Sequence, residues 1–468
     1  MRIHPETTPE DLYPHLRGAL NLWHSSSPDH LLDFMLLVRM RRDDPAGTPP
    51  GDPATRRSIT NAALLDGVEE LEARVPEDAE ILRRRFIDDE KTVKVSHILN
   101  MSVDQVNRRQ RAAIVSLAEI LLAREHELLR LLTGTLEARL PSRQYSRLLG
   151  VAAAVEQLSG LLVPGEAPWV VALSGMGGIG KTALAHFLAV GALADFGEPS
   201  IHWIHVPSQS GPPPDPEATY RDILNELAAR LTGSEGNPKA RRDQVRFILK
   251  TLPHLVVVDN LESDHATAFL YEKLFGLAKP TKFLLTTRAG LGGSAGVLVH
   301  PVPELGFEHA AELIVDYSRE IGMGAETITA EADLRAIYDT AGGNPLALKI
   351  VVGMAGGGLP LGVVLADLGK RVFAETDALY DRIYRRAWEA LSDDARELLE
   401  GMPLVSETGG APKQLLAFSG LPEDRFWTAV RELLSRSLLE VRGTSSERRY
   451  GIHPLTRAFL QTQVIHPE

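Results

Sequence analysis

The stretch Ser174-Gly175-Met176-Gly177-Gly178-Ile179-Gly180-Lys181-Thr182 constrains this chain more than any other. It fits Gly-x-x-x-x-Gly-Lys-Thr, a phosphate-binding loop. The pattern carries chemistry only where a buried strand enters it and a helix leaves it. Trp169 to Leu173 is an apolar run of strand length, and Ala183 to Ala194 reads as an apolar helix. Gly175, Gly177, Gly178 and Gly180 let the backbone curl so that successive N–H groups converge on an anion. The helix beginning near Lys181 adds its positive dipole end. In that setting Lys181 reaches the β- and γ-phosphates of a nucleotide, and the Thr182 hydroxyl coordinates Mg²⁺.

Two later strands supply what such a loop needs. His254-Leu255-Val256-Val257-Val258-Asp259-Asn260 is a buried run with a carboxylate at its carboxyl end. Ligands of open α/β sheets bind at that edge, which places Asp259 to hold Mg²⁺ through water. Lys282 to Arg288 is a second such run, and Arg288 at its tip is a charge-assisted donor for a γ-phosphate. Around these lie expected helices at Ala152–Leu162, Glu217–Leu231 and Arg241–Leu252, a strand at Ser200–Val206 and a Pro/Ser-rich loop at Pro207–Pro216. His202 and His205 point to opposite faces of their strand and so make poor metal partners. Gly292-Gly293-Ser294-Ala295-Gly296 imitates a nucleophile elbow but leads into the strand-like Val297–Val299 rather than a helix, so it reads as a loop.

A length of 468 residues suggests about three or four domains. The net charge of −12 gives no whole-chain argument for nucleic acid or an anionic membrane, though a local basic face is compatible with it. The chain has no cysteine, which excludes disulfides and thiolate metal sites and fits a reducing, cytoplasmic setting. Its start lacks the apolar core of a signal peptide. No apolar stretch approaches the roughly 20 residues of a membrane span, so no membrane partner is expected.

The N-terminal region, residues 1–76, reads as helical scaffold. Ser27-Pro28 is a cap, Leu31–Met40 a helix, Asp43–Arg56 a loop and Ile59–Arg74 a second helix. Residues 77–140 are more informative. Helices are expected at Ala79–Phe86 and Thr92–Leu99, followed by a tight turn at Asn100-Met101. Ser102 then caps a third helix, with Gln105 in the reciprocal position, and a charged helix continues over Glu125–Leu140. This is a helix-turn-helix pattern. The run from Ile81 to Arg109 resembles region 4 of bacterial sigma factors. That resemblance places Asp104, Gln105, Asn107, Arg108 and Arg111 towards the base edges of double-stranded DNA, where Asn, Gln and Arg can pair bidentately. Acidic and basic residues balance here, which leaves a protein-binding scaffold as the alternative.

After the sheet region come a helix at Leu305–Glu320 and another opened by Gly342-Gly343-Asn344-Pro345-Leu346-Ala347-Leu348. Helices at Arg382–Leu391, Asp393–Glu400, Pro412–Phe418 and Glu423–Arg436 end in a hairpin, Leu438–Val441 with Arg449–His453, which reads as a winged helix. Taken in order, Gly175–Thr182, Val256–Asn260, Thr286-Thr287-Arg288, Gly343–Leu346 and Ile452-His453 resemble an NB-ARC ATPase of the STAND class, nearest the bacterial members. The fold class this implies is multidomain α/β plus α. It comprises a P-loop parallel-sheet domain at 142–300, a helical ARC-type domain at 301–370 and a winged helix at 378–468, preceded by the all-α region. The resemblance further implies ATP/ADP and Mg²⁺ as ligands, Pro345 near the adenine and His453 on the ADP β-phosphate. ADP would close the domains, and ATP would favour an open homo-oligomer.

Three departures stand out. Asn260 replaces a second acid and cannot act as a general base, so hydrolysis is expected to be slow unless Glu262 helps. Gly150-Val151 replaces the Gly-Arg pair usual at the domain start. No repeat array follows His453, so either the signal enters elsewhere, as through a sensor partner of unknown kind, or this is a reduced or shortened version. The expected function is an ATP/ADP switch coupled to a DNA-binding helix-turn-helix that regulates transcription. An oligomerising, immunity-like scaffold is the alternative.

Overall fold

The computed structural model describes residues 7–25, 27, 31, 35, 53–143, 145–207, 215–232, 237–261, 264–288, 296–323, 328–356, 360–368, 376–406, 409–443 and 448–465. Outside these lie Pro28 of the expected Ser27-Pro28 cap, all of the expected helix Leu31–Met40 except Leu31 and Met35, and most of the expected loops Asp43–Arg56 and Pro207–Pro216. The elbow-like stretch, apart from Gly296, and Glu262 are outside too. The chain divides into two compact units. One is Met1–Thr135 with Leu193–Glu198; the other is Leu136–Ala192 with Pro199–Glu468.

The first unit is helical. Helix α1 (Pro9–Asn21) starts with a reciprocal cap, in which Asp11 N donates to Thr8 Oγ1 at 3.3 Å and Thr8 N to Asp11 Oδ2 at 2.9 Å. Helix α2 (Pro53–Arg74) begins earlier than the expected Ile59 and takes in Pro53 to Arg56 of the expected loop. Helix α3 (Pro76–Leu82) runs on into a π turn at Arg83–Ile87. Helix α4 (Thr92–Ile98) and helix α5 (Val103–Glu137) complete the set. The third helix of the helix-turn-helix and the expected helix at Glu125–Leu140 are thus one 35-residue helix, ending three residues short of Leu140. Leu16, Leu20, Leu64, Val68, Leu117 and Leu121 form the core. The α2–α5 crossing is close at Gly67, where a Cβ would lie 2.6 Å from Leu117 Cδ1. A smaller core of Ile81, Val95 and Val106, with Leu99 and Met101, holds the helix-turn-helix. The expected cap is there: Gln105 N donates to Ser102 Oγ at 3.2 Å and Ser102 N to Gln105 Oε1 at 2.7 Å.

The second unit is built on a parallel sheet of five strands in the order β2-β3-β4-β1-β5. The strands are β1 (Val170–Ser174), β2 (Ile201–His205), β3 (Leu255–Leu261), β4 (Lys282–Thr287) and β5 (Val297–Pro301). The three middle strands are buried almost throughout, as near-continuous apolar runs require when both sheet faces are covered. Helix α6 (Ala152–Leu161) packs on α7 (Lys181–Gly191), which packs on β1, β3 and β4. Alternate strand residues, among them Ala172, Val256, Val258 and Leu285, join a core with α8 (Pro216–Leu231), α9 (Pro238–Thr251) and α10 (Asp264–Leu277).

Among the described residues, further helices follow: α11 (Phe307–Glu320), α12 (Glu331–Ala341), α13 (Pro345–Gly356), α14 (Leu361–Leu368), α15 (Thr376–Glu389), α16 (Asp393–Gly401), α17 (Pro412–Ser419), α18 (Glu423–Ser435) and, after the hairpin, α19 (Pro454–Phe459). The antiparallel hairpin, β6 (Glu440–Gly443) and β7 (Arg448–Gly451), lies between α18 and α19. One continuous apolar core runs from Leu305 to Leu460. The two C-terminal blocks read separately from the sequence therefore share it. Their seam is tight. A Cβ on Gly353 of α13 would lie 2.7 Å from Arg436 Cα, and the Tyr317 hydroxyl of α11 donates to Ser435 O at 3.1 Å.

One buried cation braces the sheet at the edge away from the phosphate loop. Lys282 is fully buried, and its ammonium donates to Leu161 O (2.5 Å), Glu166 O (2.7 Å) and Pro168 O (2.9 Å). Burial pushes its pKa down to about 8, with Glu166 opposing the shift. Lys282→Met is expected to destabilise the protein by about 3 kcal/mol in denaturant unfolding at pH 7, because three carbonyls lose a charged donor. The pH dependence has a definite sign. Between pH 8 and the unfolded value near 10.4, the unfolded chain binds the extra proton, so stability rises with pH. That rise is expected to shrink in Lys282→Met.

Candidate phosphate and metal site

The phosphate loop leaves β1 and enters α7 as the motif requires. Gly178 and Gly180 have φ of +75° and +101°, a region open to glycine at little strain. Lys181 Nζ donates to Gly175 O and Met176 O, each at 2.7 Å, and so clasps its own loop. Gly177 faces a different element. Its carbonyl accepts from Asn344 Nδ2 at 2.9 Å. Asn344 Oδ1 in turn accepts from Leu346 N (3.0 Å) and Ala347 N (3.3 Å), capping α13. At Gly178 a Cβ would lie 2.7 Å from Leu346 Cβ. The start of α13, including Pro345, is therefore seated on the phosphate loop.

Asp259 sits at the carboxyl end of β3 with 4% exposure. Its Oδ1 accepts from Thr182 Oγ1 at 2.9 Å and from Thr286 Oγ1 at 2.6 Å, while His205 Nδ1 lies 3.6 Å from Oδ2. Burial pushes the carboxyl up, but His205, Thr286 and Thr182 together hold it below its ordinary value, so it is ionised at neutral pH. A carboxylate beside a hydroxyl is a hard oxygen donor set, which suits Mg²⁺. Among the described residues no group of three His, Cys, Asp or Glu is placed to hold a metal ion. Water and phosphate would have to complete the shell, as is usual for Mg²⁺.

Asn260 occupies a bulge between Val258 and Leu261 at φ +75°. Its N donates to Thr286 Oγ1 at 2.8 Å, and its Nδ2 donates to Val206 O at 2.9 Å. The amide ties β3 to the end of β2 and has no proton-accepting chemistry to offer.

A cavity of about 1170 Å³ brings the predicted groups together. Its wall includes Gly177, Gly178, Gly180, Lys181, Thr182, Asp259, Arg288, Pro345 and His453. Gly175 lies at the loop's start, behind the wall, where a Cβ would meet Val302 O at 3.0 Å. Arg288 is exposed at the tip of β4, and His453 follows β7. Burial is the main cause that pushes the His453 imidazole down to about 4; Glu440 opposes it, and the charges of Arg442, Arg288 and Lys181 reinforce it. The ring is neutral at pH 7.

Three participants were named in the sequence without a role at this site: Thr286 and Asn344 within motifs, and His205 as a poor metal partner of His202. A threonine inside an otherwise apolar strand was a readable signal, because a buried hydroxyl needs a partner. His205 does face away from His202, as expected, but it faces Asp259. His202 bonds instead to His254, Nε2 to Nδ1 at 3.1 Å, and burial pushes these rings down to about 3 and about 4.

The DNA candidates sit in the other unit and fare unevenly. Gln105 is engaged in its capping box. Asn107 and Arg108 are exposed on α5, and the Arg111 guanidinium lies 5.5 Å from the Tyr13 ring centroid. Arg109 binds Asp78 at 2.7 Å and pairs with Glu77. Val93, Ile98 and Val103 are exposed around the turn.

Asn344→Ala is expected to lower stability by about 2 kcal/mol, measured by thermal unfolding without added nucleotide. It strips the cap of α13 and leaves Gly177 O without this donor.

The NB-ARC domain family profile matches residues 151–304. Among curated proteins, a disease susceptibility protein of Arabidopsis thaliana, LOV1, is 26% identical over 229 residues, covering 45% of this chain and 24% of that protein. The disease resistance RPP8-like protein 3 of the same plant is 29% identical over 226 residues, covering 46% and 24%. The chain thus spans about a quarter of the length of these relatives. Among solved structures, a STAND protein with a tetratricopeptide repeat sensor from Pyrococcus horikoshii covers 68% of this chain and 43% of its own at 18% identity, with a TM-score of 0.42. A likeness that remote carries no functional argument. The family match falls on the same segment that forms the phosphate loop, Asp259 and the parallel sheet, so residues 151–304 are similar to an NB-ARC domain and have the strand–loop–helix geometry of a P-loop module.

Proposed function

We propose that the chain is an ATP/ADP switch whose state is read by the block that ends in the hairpin. One observation carries this reading. The same cavity is walled by the phosphate loop, by α13 at Pro345 and by His453 beyond β7. A diphosphate held by Lys181 and the loop amides would meet a neutral His453 as a hydrogen-bond donor, and that contact would favour the closed arrangement. Arg288 and a Mg²⁺ ion held by Thr182 and Asp259 would favour a third phosphate, and with it an arrangement in which His453 lets go. A ligand moves such an equilibrium only through its difference in affinity for the two forms. Reversing a 99:1 ratio takes about 5.5 kcal/mol. Asn260 makes hydrolysis slow, which suits a switch better than a motor. The open form would assemble with further copies, and a sensor of unknown kind would supply the trigger.

For output, the helix-turn-helix supports transcriptional regulation through Asn107, Arg108 and Arg111 on duplex DNA. A second reading is favoured by particular residues. Gln105 and Arg109 are already engaged, and Val93, Ile98 and Val103 form an exposed apolar edge. These features suit a protein partner, hence an immunity-like scaffold; the plant relatives are named for disease susceptibility and resistance.

Light scattering tests the switch. The chain should assemble with ATP and Mg²⁺, stay monomeric with ADP, and lose assembly in Lys181→Ala. His453→Ala should assemble even with ADP. A monomer in every condition, with nucleotide binding confirmed, would rule out the oligomer model. Duplex binding that weakens steeply with salt would assign the output to DNA; salt-independent capture of a protein would assign it to a scaffold.

A further inference from the structure

The segment 139–151 lies between the end of α5 and the start of α6 and contains no helix or strand among its described residues. All of those residues line the cavity. This strap is fastened on two sides. Towards the phosphate-loop helix, the Tyr145 hydroxyl is 3.1 Å from Nδ1 of His186, which is 4% exposed, and the rings meet edge-on at 5.8 Å. Arg143 reinforces this end. It stacks 4.7 Å from the Tyr145 ring centroid and donates to Tyr145 O (2.8 Å) and Ser146 O (2.7 Å). Towards α11, Arg147 pairs with Glu312 and, at 3.2 Å, with Asp316.

The two fastenings differ in kind. The first is half-buried and aromatic. The second is an ion pair whose side chains are 57%, 41% and 44% exposed, so water and salt weaken it. Next to it, Gly150 turns at φ +68° and lies against Leu305 and His309, where a Cβ would come within 3.1 Å of Leu305. The strap thus has a buried end, an exposed latch and a glycine at the turn between the latch and α6. A second closure of the cavity, between α11 and α13 on one side and the end of α18 on the other, is the buried seam at Tyr317 and Gly353. Segments with fewer buried contacts open first.

We propose that Arg147, with Glu312 and Asp316, is the latch of a gate, and that basal nucleotide exchange passes under the strap while the hairpin block stays docked. Arg147 is a positioning residue: it holds the strap and need not touch the nucleotide. The inference rests on the nucleotide reading of the cavity.

A gate has a kinetic signature. It lowers or raises the barrier to entry and exit together and leaves the equilibrium unchanged. The test uses the full chain loaded with fluorescently labelled ADP and chased with excess ADP in a stopped-flow instrument. In Arg147→Glu the on- and off-rates are expected to rise together by about fivefold, with Kd changed less than about twofold. The exchange Arg147→Glu with Glu312→Arg is expected to return both rates towards the original. Raising the salt from about 0.05 to about 0.5 M is expected to speed exchange in the original chain and much less in Arg147→Ala. Tyr317→Phe, which loosens the buried seam, is expected to speed release less than Arg147→Glu does. The gate is overturned if Arg147→Glu raises Kd through the off-rate alone, if the charge exchange gives no rescue, or if Tyr317→Phe proves the faster. Failure of the original chain to bind ADP would instead overturn the nucleotide reading, and the gate with it.

Discussion

The site depends on one buried charge. Asp259 is nearly inaccessible, and an ionised carboxylate in that position is tolerable only with donors on it. Thr182 and Thr286 supply two, and His205 stands beside the other oxygen. These residues come from three separate elements, α7, β4 and β2. Satisfying one carboxylate therefore fixes the first turn of the phosphate-loop helix against the carboxyl ends of the neighbouring strands. Thr286 has a second duty, since its hydroxyl oxygen also accepts from the backbone of Asn260 and holds the bulge that follows Asp259. The geometry that would receive a metal and a phosphate chain is set by this network within the protein itself.

Asn344 extends the same logic to the helical block. Its amide donates to the phosphate loop and its oxygen caps α13, so loop and helix move as one piece unless a buried hydrogen bond breaks. The shared core from Leu305 to Leu460 carries the connection on to the hairpin. A conformational change that frees His453 has to part the Tyr317 and Gly353 seam, and packed seams separate in steps rather than by gradual deformation. This is the kind of bistable element on which a modest difference in ligand affinity can act.

The sequence made the sheet domain legible because its signals are local and redundant. Continuous apolar runs marked β1, β3 and β4 as buried parallel strands, and the glycines with Lys181 and Thr182 marked the loop between β1 and α7. The cap pair Ser102 and Gln105 was equally local and is present. The passage from Ser102 through Glu125 is legible for the same reason: Leu122 to Glu125 carries no stop signal, and α5 runs through it unbroken. What escaped depended on distance along the chain. His205 could be read as facing away from His202, yet nothing in β2 says that Asp259 lies across from it. Asn344 belongs to a recognisable motif, but its bond to Gly177 spans 167 positions. The shared core of the C-terminal blocks is likewise a fact of packing, invisible to a pass that looks for boundaries.

The neutrality of His453 bears on what it can sense. Lys181 and Arg288 already bring positive charge to this cavity, and a third cation buried beside them would be unfavourable. Burial, reinforced by Arg442 and by those two neighbours, keeps the ring uncharged at pH 7, with Glu440 only partly opposing them. A neutral imidazole contributes one directional N–H rather than a charge. Lys181, Arg288 and a metal held by Thr182 and Asp259 would answer to the number of phosphate charges, whereas His453 would answer to where a phosphate oxygen lies. Such a division would let one cavity bind two nucleotides of different charge and still distinguish them by position, because the group reporting to the hairpin block would be the one least sensitive to charge.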